Sequence, residues 1–168
     1  MIHWSYKSPF AVLYCQSDQF GLRSIEFKPR QECLNEACDA MKYKIQRSLN
    51  AYFNKKPFLL DFDLYIPEKG FSSEVLKYCM EIPFGETMTY GELARKAGNP
   101  NASRAVGRIM SSNRVPIFIP CHRVIGSQGH LTGYRGGLEL KIALLKHEGA
   151  KIIQKRKSRI LHLQGLQG

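Results

Sequence analysis

Short apolar runs and one longer amphipathic stretch alternate along the first part of the chain. The runs FAVLYC (10–15) and LRSIEF (22–27) are rich in β-branched and aromatic residues, which predicts two strands joined by QSDQFG. Across 31–53 apolar residues recur every three or four positions, which predicts a helix, and FLLDFDLYI (58–66) predicts a further strand. The turn cluster PEKG at 67–70 predicts the end of this domain.

Beyond this turn the spacing of apolar residues becomes helical. The stretch SSEVLKYCMEI predicts a helix that begins near Phe71 and has a serine as its cap. Thr89 and Glu92 have the spacing of a capping box, which predicts another helix that ends at GNPN. The second part of the chain is therefore predicted to be mainly helical.

A further helix is predicted from Ala102 to Ser111, with Arg104 and Arg108 together on its polar side. Two short helices joined by a glycine-containing turn are typical of a helix-turn-helix. Helical hairpins without a DNA partner are also common, so this pattern alone slightly favours a purely structural role.

These elements predict an α/β protein of the α+β type. A small N-terminal domain of sheet plus helix spans 1–69, and a mainly helical domain with the helix-turn-helix spans 70–150. A basic tail spans 151–168. We expect this tail to be a solvated, partly frayed end, and its functional interpretation is additional contact with phosphates.

Composition limits the class of protein. The chain has 168 residues and is 43% apolar, which is enough for a genuine core. No apolar run approaches the roughly 20 residues of a membrane helix, and the N-terminus lacks the pattern of a signal peptide, so we expect a cytoplasmic protein without membrane association. Five irregularly spaced cysteines predict neither a disulfide framework nor a zinc site. We also expect the protein to be a monomer.

Charge adds information about the partner. The net charge is +11, and residues 151–168 hold five basic and no acidic residues. Between Leu93 and Leu138 there are seven basic residues and no carboxylate. Such a surface would attract a phosphate backbone, but a merely soluble basic protein is an equally good interpretation of charge alone.

The sequence IPCHRVIGSQGH contains the candidate chemistry. Cys121 follows the apolar run VPIFIP, which predicts a buried strand or extended segment and places the thiol at the edge of the interior. A thiol becomes a nucleophile when a neighbouring base accepts its proton, and His122 is adjacent while Glu148 follows an apolar helix. Cys-His dipeptides are frequent, so a structural role for this pair is the simpler alternative.

These segments together resemble a known family. The stretch IPFGETMTYGELARKAGNPNASRAVGRIM, followed by NRVPIFIPCHRVIGSQGHLTGYRGGLELKIALLKHEG, is similar to the DNA-binding and active-site domain of the methylated-DNA–protein-cysteine methyltransferases. The similarity covers about 70–150, and the first domain matches only in the order of its strands and helix. It implies stoichiometric transfer of an alkyl group from 6-O-alkylguanine in double-stranded DNA to the protein itself, with no cofactor.

The resemblance also implies roles for matching residues. Cys121 would accept the alkyl group, His122 would relay its proton through a water, and Glu148 would hold His122. Arg104 would fill the gap left by the flipped base, and Tyr90 would help to rotate the nucleotide out of the duplex.

Further matching positions complete the implied site. Asn113 is similar to an asparagine that organises the turn before the active-site segment. The implied pocket residues are Tyr134, Val124, Arg135 and Met110. The positions implied to contact DNA are Arg104, Tyr90, Gly91, Asn99, Ala102, Ser103, Ser127 and Ser72.

Some features depart from the family pattern. Arg135 replaces a residue that is small in many members, and Arg114 replaces a common proline, so the width of the pocket is open. The metal site of some members requires a spacing that His3, Cys15, Cys33 and Cys38 do not match, and we expect no zinc.

Two other functions fit parts of the sequence. The first is a binding module that flips alkylated bases without transferring anything, but relatives of this kind lack the acceptor cysteine that this chain has. The second is a Cys-His hydrolase, for which the sequence shows no sign of an oxyanion hole.

Overall fold

The computed structural model describes residues 1–29, 40–155 and 158–162. The chain divides into two compact units, one formed by Met1–Tyr65 with Arg114–Phe118 and the other by Ile66–Asn113 with Ile119–Gly168. The first unit contains a four-stranded sheet and a helix, whereas the second contains four α-helices in its described part. This confirms the predicted α+β class.

The sheet of the first unit has the strand order β1-β2-β3-β4. Strands β1 (Ile2–Lys7), β2 (Val12–Ser17) and β3 (Gly21–Glu26) are antiparallel neighbours, and β4 (Asp63–Leu64) pairs with β3 in parallel. The two strands predicted in this region are confirmed as β2 and β3, while β1 was not predicted. The long strand predicted at 58–66 is wrong, because only its two residues in β4 are paired and Leu59 is 85% exposed.

Helix α1 (Ala40–Phe53) completes this unit. Ile45, Leu49 and Tyr52 are buried and recur at helical spacing, and they pack into the core with Trp4. The prediction of a helix is confirmed for 40–53, whereas 31–39 lies outside the described residues.

The second unit contains α2 (Phe71–Met80), α3 (Tyr90–Lys96), α4 (Ser103–Ser111) and α5 (Leu138–His147). A short parallel pair of strands, β5 (Met88–Thr89) and β6 (Val124–Ile125), aligns Met88 with Val124 and Thr89 with Ile125. This pairing places the start of α3 beside the residues that directly follow the Cys-His-Arg segment.

The helix caps differ in how well sequence predicted them. At α3 the capping box is confirmed, because Thr89 accepts from the backbone of Glu92 and the Glu92 side chain accepts from the backbone of Thr89. The serine cap predicted for α2 is wrong. Gly70 is the residue before this helix, with φ 96°, and no side chain caps the helix, since both serines lie within its first turn.

The run VPIFIP is buried as predicted but is not a regular strand. The chain turns at Ile117, which has φ 79°, a conformation that β-branched residues rarely adopt. Pro116 and Pro120 remove two backbone donors, which explains why this stretch cannot take a central place in a sheet.

The region predicted as a frayed tail forms a hairpin instead. Strands β7 (Lys151–Lys155) and β8 (Ser158–His162) are antiparallel, and Ile152 packs against a buried apolar cluster that includes Leu131 and Leu145. This apolar contact and the strand pairing give the segment an ordered course, and 163–168 lies outside the described residues. Within the described ranges, no helix has the length and apolar character needed to cross a bilayer.

Candidate active site

Cys121 opens a short 3₁₀ turn, Cys121–Arg123, that follows Pro120. The Cys121 backbone amide donates to the carbonyl of Ile119 at 2.7 Å, and the Arg123 amide donates to that of Pro120 at 2.8 Å. The cysteine is only 4% exposed. The tight turn therefore holds the thiol just below the surface.

Asn113 is a polar partner of this thiol. Its side-chain amide donates to the Cys121 sulfur at 3.1 Å and to the Ile119 carbonyl oxygen at 2.9 Å. Burial raises the pKa of Cys121 above its ordinary value, and the Asn113 hydrogen bond, the Lys141 charge and the Tyr134 hydroxyl oppose that rise. At neutral pH the resting group is a thiol, so its reaction as a nucleophile requires a base.

His122 and Glu148 have the arrangement expected of such a base. Nε2 of His122 lies 2.8 Å from Oε1 of Glu148, and both side chains are buried. Burial lowers the pKa of His122, and the hydrogen bond and charge of Glu148 oppose this effect. Because the neutral ring donates from Nε2 to a carboxylate, Nδ1 carries the lone pair that can accept a proton.

Arg123 holds the same carboxylate from the other side. Its Nε donates to Oε2 of Glu148 and its Nη2 donates to Oε1, each at 2.9 Å, while the Gly85 amide donates to Oε2 at 3.2 Å. Burial acts to raise the pKa of Glu148, but the hydrogen bonds and charges of His122 and Arg123 outweigh it and keep that pKa well below its usual range. Glu148 is therefore an anion.

Lys141 is a buried charged residue beside the candidate site that the sequence did not predict. It is 1% exposed, and its Nζ donates to the Val124 carbonyl at 2.7 Å and lies 5.9 Å from the centre of the Tyr90 ring. Burial lowers its pKa to about 8, and the Cys121 charge opposes this. Lys141 is one turn before the buried Leu145 on α5, but a lysine at this spacing ordinarily indicates a solvated face, so the sequence pattern did not identify it.

An open cavity of about 750 Å³ lies beside this buried set. The start of α3, the polar side of α4 and the loop after the 3₁₀ turn form its walls. The sequence-predicted residues that line it are Tyr90, Gly91, Ser103, Arg104, Ser127, Tyr134 and Arg135. Thr132, which was not predicted, lines it as well.

The remaining predicted residues lie elsewhere in the second unit. Met110 and Val124 are buried, Ala102 precedes α4, Ser72 is half-buried in α2, and Asn99 is exposed between α3 and α4. Their roles toward DNA or substrate stay predictions.

The helix-turn-helix has the arrangement expected from sequence. Helix α3 packs against α4, whose buried residues are Val106 and Met110. Arg104 and Arg108 are exposed on the opposite side. Arg135, from the loop before α5, donates to the Asn113 carbonyl at 3.1 Å, so one wall of the cavity is bonded to the residue that holds the thiol.

Comparison with known proteins identifies the family. Residues 70–150 match the family described as 6-O-methylguanine DNA methyltransferase, DNA binding domain. The methylated-DNA–protein-cysteine methyltransferase of Methanosarcina acetivorans is 40% identical over 157 residues, which cover 89% of this chain and 99% of the relative. The methylated-DNA–protein-cysteine methyltransferase of Mycobacterium tuberculosis is 47% identical over 105 residues, which cover 61% of this chain and 62% of the relative.

Solved structures give the same result. The crystal structure of Mycobacterium tuberculosis OGT in complex with DNA has a TM-score of 0.77 and 35% identity, and covers 88% of this chain and 92% of that one. The chain belongs to the family of methylated-DNA–protein-cysteine methyltransferases, enzymes that repair DNA by alkyl transfer. The resemblance inferred from the two stretches within residues 70–150 is thereby confirmed.

Proposed function

We propose that each molecule of this protein removes one alkyl group from 6-O-alkylguanine in duplex DNA and keeps it on the sulfur of Cys121. The observation that carries this proposal is a buried thiol, Cys121, whose sulfur accepts from Asn113 and which directly precedes the buried pair of His122 and Glu148, beside an open cavity on the helix-turn-helix. A candidate nucleophile, a candidate base and an anion that orients the base are the groups that nucleophilic catalysis requires.

The reaction follows from the protonation states of these groups. Anionic Glu148 fixes the tautomer of His122, whose Nδ1 takes the thiol proton through a water. The sulfur attacks the alkyl carbon, the bond from carbon to O6 breaks, and the guanine leaves with the bond electrons. Tyr90 borders the cavity and supplies a proton to the guanine ring.

Access to the thiol requires a flipped base. A guanine inside a duplex hides the bond to be broken, and Cys121 is itself buried. Arg104 is exposed at the cavity and would fill the gap left by the base, and the small residues Ala102 and Ser103 let α4 approach closely. We propose approach from the minor groove, with little sequence preference.

The product is a thioether, which is stable under cellular conditions, so one reaction consumes the protein. A free thiol acceptor also requires a reducing compartment. Cys15, Cys79 and Cys121 are free and buried, and the proposal places the protein with the DNA in the cytoplasm.

The alternative is a module that binds alkylated DNA without transferring the alkyl group, and a structure similar to this chain is bound to such DNA. The structure of S. pombe Atl1 in complex with damaged DNA containing O6-carboxymethylguanine has a TM-score of 0.51 and 34% identity, and covers 55% of this chain and 89% of that one. The geometry around Cys121 favours transfer, since a binding module has no need of a thiol held by Asn113.

A duplex with a single 6-O-methylguanine tests the proposal. After incubation, digestion to nucleosides should show 2′-deoxyguanosine in place of the modified deoxynucleoside, in proportion to the protein added. The matched control is Cys121→Ser, which should bind the duplex and leave the lesion intact. Lesion loss with the serine variant, or an intact lesion with the wild type, would overturn the proposal.

A further inference from the structure

Tyr90 and Thr132 are joined by a hydrogen bond at the edge of the cavity. The phenolic oxygen of Tyr90 lies 2.9 Å from Oγ1 of Thr132, although 42 positions separate them in sequence. Both residues line the cavity. Thr132 takes no direct part in the proposed transfer, yet it borders the space that would receive the substrate.

Thr132 follows a closed turn in the loop before α5. The Gly126 amide donates to the His130 carbonyl at 2.7 Å, and a Cβ added to Gly126 would stand 3.6 Å from Cγ2 of Thr132, so the methyl group lies on the side of this turn. Because χ1 of a β-branched residue is stiff, the hydroxyl bonded to Tyr90 has few alternative positions.

We infer that Thr132 is a positioning residue that donates its hydroxyl hydrogen to the phenolic oxygen of Tyr90. The inference rests on the proposed function, in which Tyr90 gives a proton to the guanine ring. If Thr132 donates, the phenolic hydrogen is directed away from Thr132 and toward the cavity. Thr132 then acts only through Tyr90.

The hydrogen bond gains strength during the reaction. As the carbon–sulfur bond forms and the carbon–O6 bond breaks, the departing guanine takes the phenolic proton and leaves a phenolate on Tyr90, which solvent later reprotonates. The proton lost by Cys121 passes through His122 to solvent, so protons balance. Burial raises the pKa of Tyr90 and the Thr132 hydrogen bond lowers it, which is the effect required of a group that stabilises the phenolate.

Three variants separate this role from a structural one. Thr132→Val keeps the shape of the side chain and removes the hydroxyl, whereas Thr132→Ser keeps the hydroxyl. Tyr90→Phe removes the group on which Thr132 is inferred to act. Single-turnover rates are measured for each with free 6-O-benzylguanine, which needs no flipping, and with a duplex containing 6-O-methylguanine.

Thr132→Val should slow both reactions about fivefold, the rate equivalent of one neutral hydrogen bond. Thr132→Ser should recover most of the rate, and Thr132→Val should add nothing in the Tyr90→Phe background. The inference would be overturned if Thr132→Ser and Thr132→Val slowed the reaction equally, or if only the reaction with duplex were slowed. It would also be overturned if Thr132→Val slowed the Tyr90→Phe variant as much as it slows the wild type. A wild type that transfers nothing would instead reject the proposed function.

Discussion

Nε2 of His122 lies 2.8 Å from Oε1 of Glu148, with both side chains buried. Glu148 also accepts two hydrogen bonds from Arg123, the residue that follows His122 in the 3₁₀ turn. One carboxylate thus orients the imidazole and neutralises a buried guanidinium. Substitution of His122 is therefore expected to affect mainly the rate of transfer, whereas substitution of Glu148 is expected to affect both the rate and the stability of the fold.

His122→Ala should reduce the rate of alkyl transfer by roughly 10²–10⁴-fold, the usual contribution of a general base. Folding should be affected less, because the pair of Glu148 and Arg123 remains. The measurement is the single-turnover rate with free 6-O-benzylguanine beside duplex affinity by fluorescence anisotropy. Equal losses of rate and affinity would indicate a structural role for His122.

Glu148→Gln should slow transfer as well and should also destabilise the fold by about 3–5 kcal/mol, because it leaves the buried Arg123 without its counter-ion. Urea unfolding of this variant and of His122→Ala measures the difference. If the two variants are equally stable, the Arg123 contact contributes less than its geometry indicates.

Asn113→Ala should raise the pKa of Cys121 further, because the variant loses the hydrogen bond to sulfur while burial remains. Since the thiolate is the attacking species, the rate at pH 7 should fall about tenfold for each pKa unit of the rise and should recover as pH increases. The test is the pH dependence of the reaction with 6-O-benzylguanine. A loss that is the same at every pH would show that Asn113 acts on structure alone.

Lys141 gives a prediction about stability. Its pKa is about 8 in the folded chain and 10.5 as an ordinary lysine, so the unfolded chain binds more protons between these values and the lysine makes stability rise with pH there. Lys141→Met lacks this rise, which amounts to about 1.4 kcal/mol for each pKa unit.

Burial raises the pKa of Cys15 and Cys79, so these thiols make the unfolding free energy fall as pH rises over the same range. Because wild type and Lys141→Met share these thiols, the quantity to compare is the difference in unfolding free energy between the two proteins. This difference should shift in favour of the wild type from pH 8 to 10.5. Parallel curves would mean that Lys141 titrates as an ordinary lysine in the folded chain.

Arg104 should matter for duplex DNA and not for stability. It is exposed on α4, so Arg104→Ala should change the unfolding free energy by less than about 0.5 kcal/mol. Repair of a duplex should fall heavily, whereas the reaction with free 6-O-benzylguanine should be unchanged, because the free base needs no flipping.

Arg108, one turn along the same helix, is the matched control for Arg104. A simple phosphate contact at Arg108 would weaken duplex binding modestly and reduce the salt dependence of the affinity by about one counterion. If Arg104→Ala lowers the rates with duplex and free base in the same ratio, Arg104 belongs only to the basic surface.

Much of the second unit followed from local sequence. Helices α3 and α4 were predictable because a capping box and helical periodicity depend only on residues a few positions apart. The stretch IPCHRVIGSQGH identified Cys121 as the candidate thiol. The position of Glu148 after an apolar helix made it a candidate partner of His122, and the resemblance implied the same role, although 26 positions separate the two residues.

Features that depend on distant partners were not predicted. Lys141 is buried because the Val124 carbonyl accepts its hydrogen bond, and lysine in a helix ordinarily indicates a solvated face. Strand β1 is defined by its pairing with β2, and the hairpin of β7 and β8 was hidden by its basic composition. The spacing of apolar residues predicts which side of a helix or strand is buried, but it does not predict which other helix or strand packs against that side.

The most direct test of the central claim is the intact mass of the protein after incubation with excess duplex containing 6-O-methylguanine. The proposed reaction predicts one methyl group per protein molecule, an added mass of one methylene, located by peptide mapping on Cys121, and no further repair once the protein is consumed. Sustained turnover, or a methyl group on any other residue, would contradict Cys121 as a single-use acceptor.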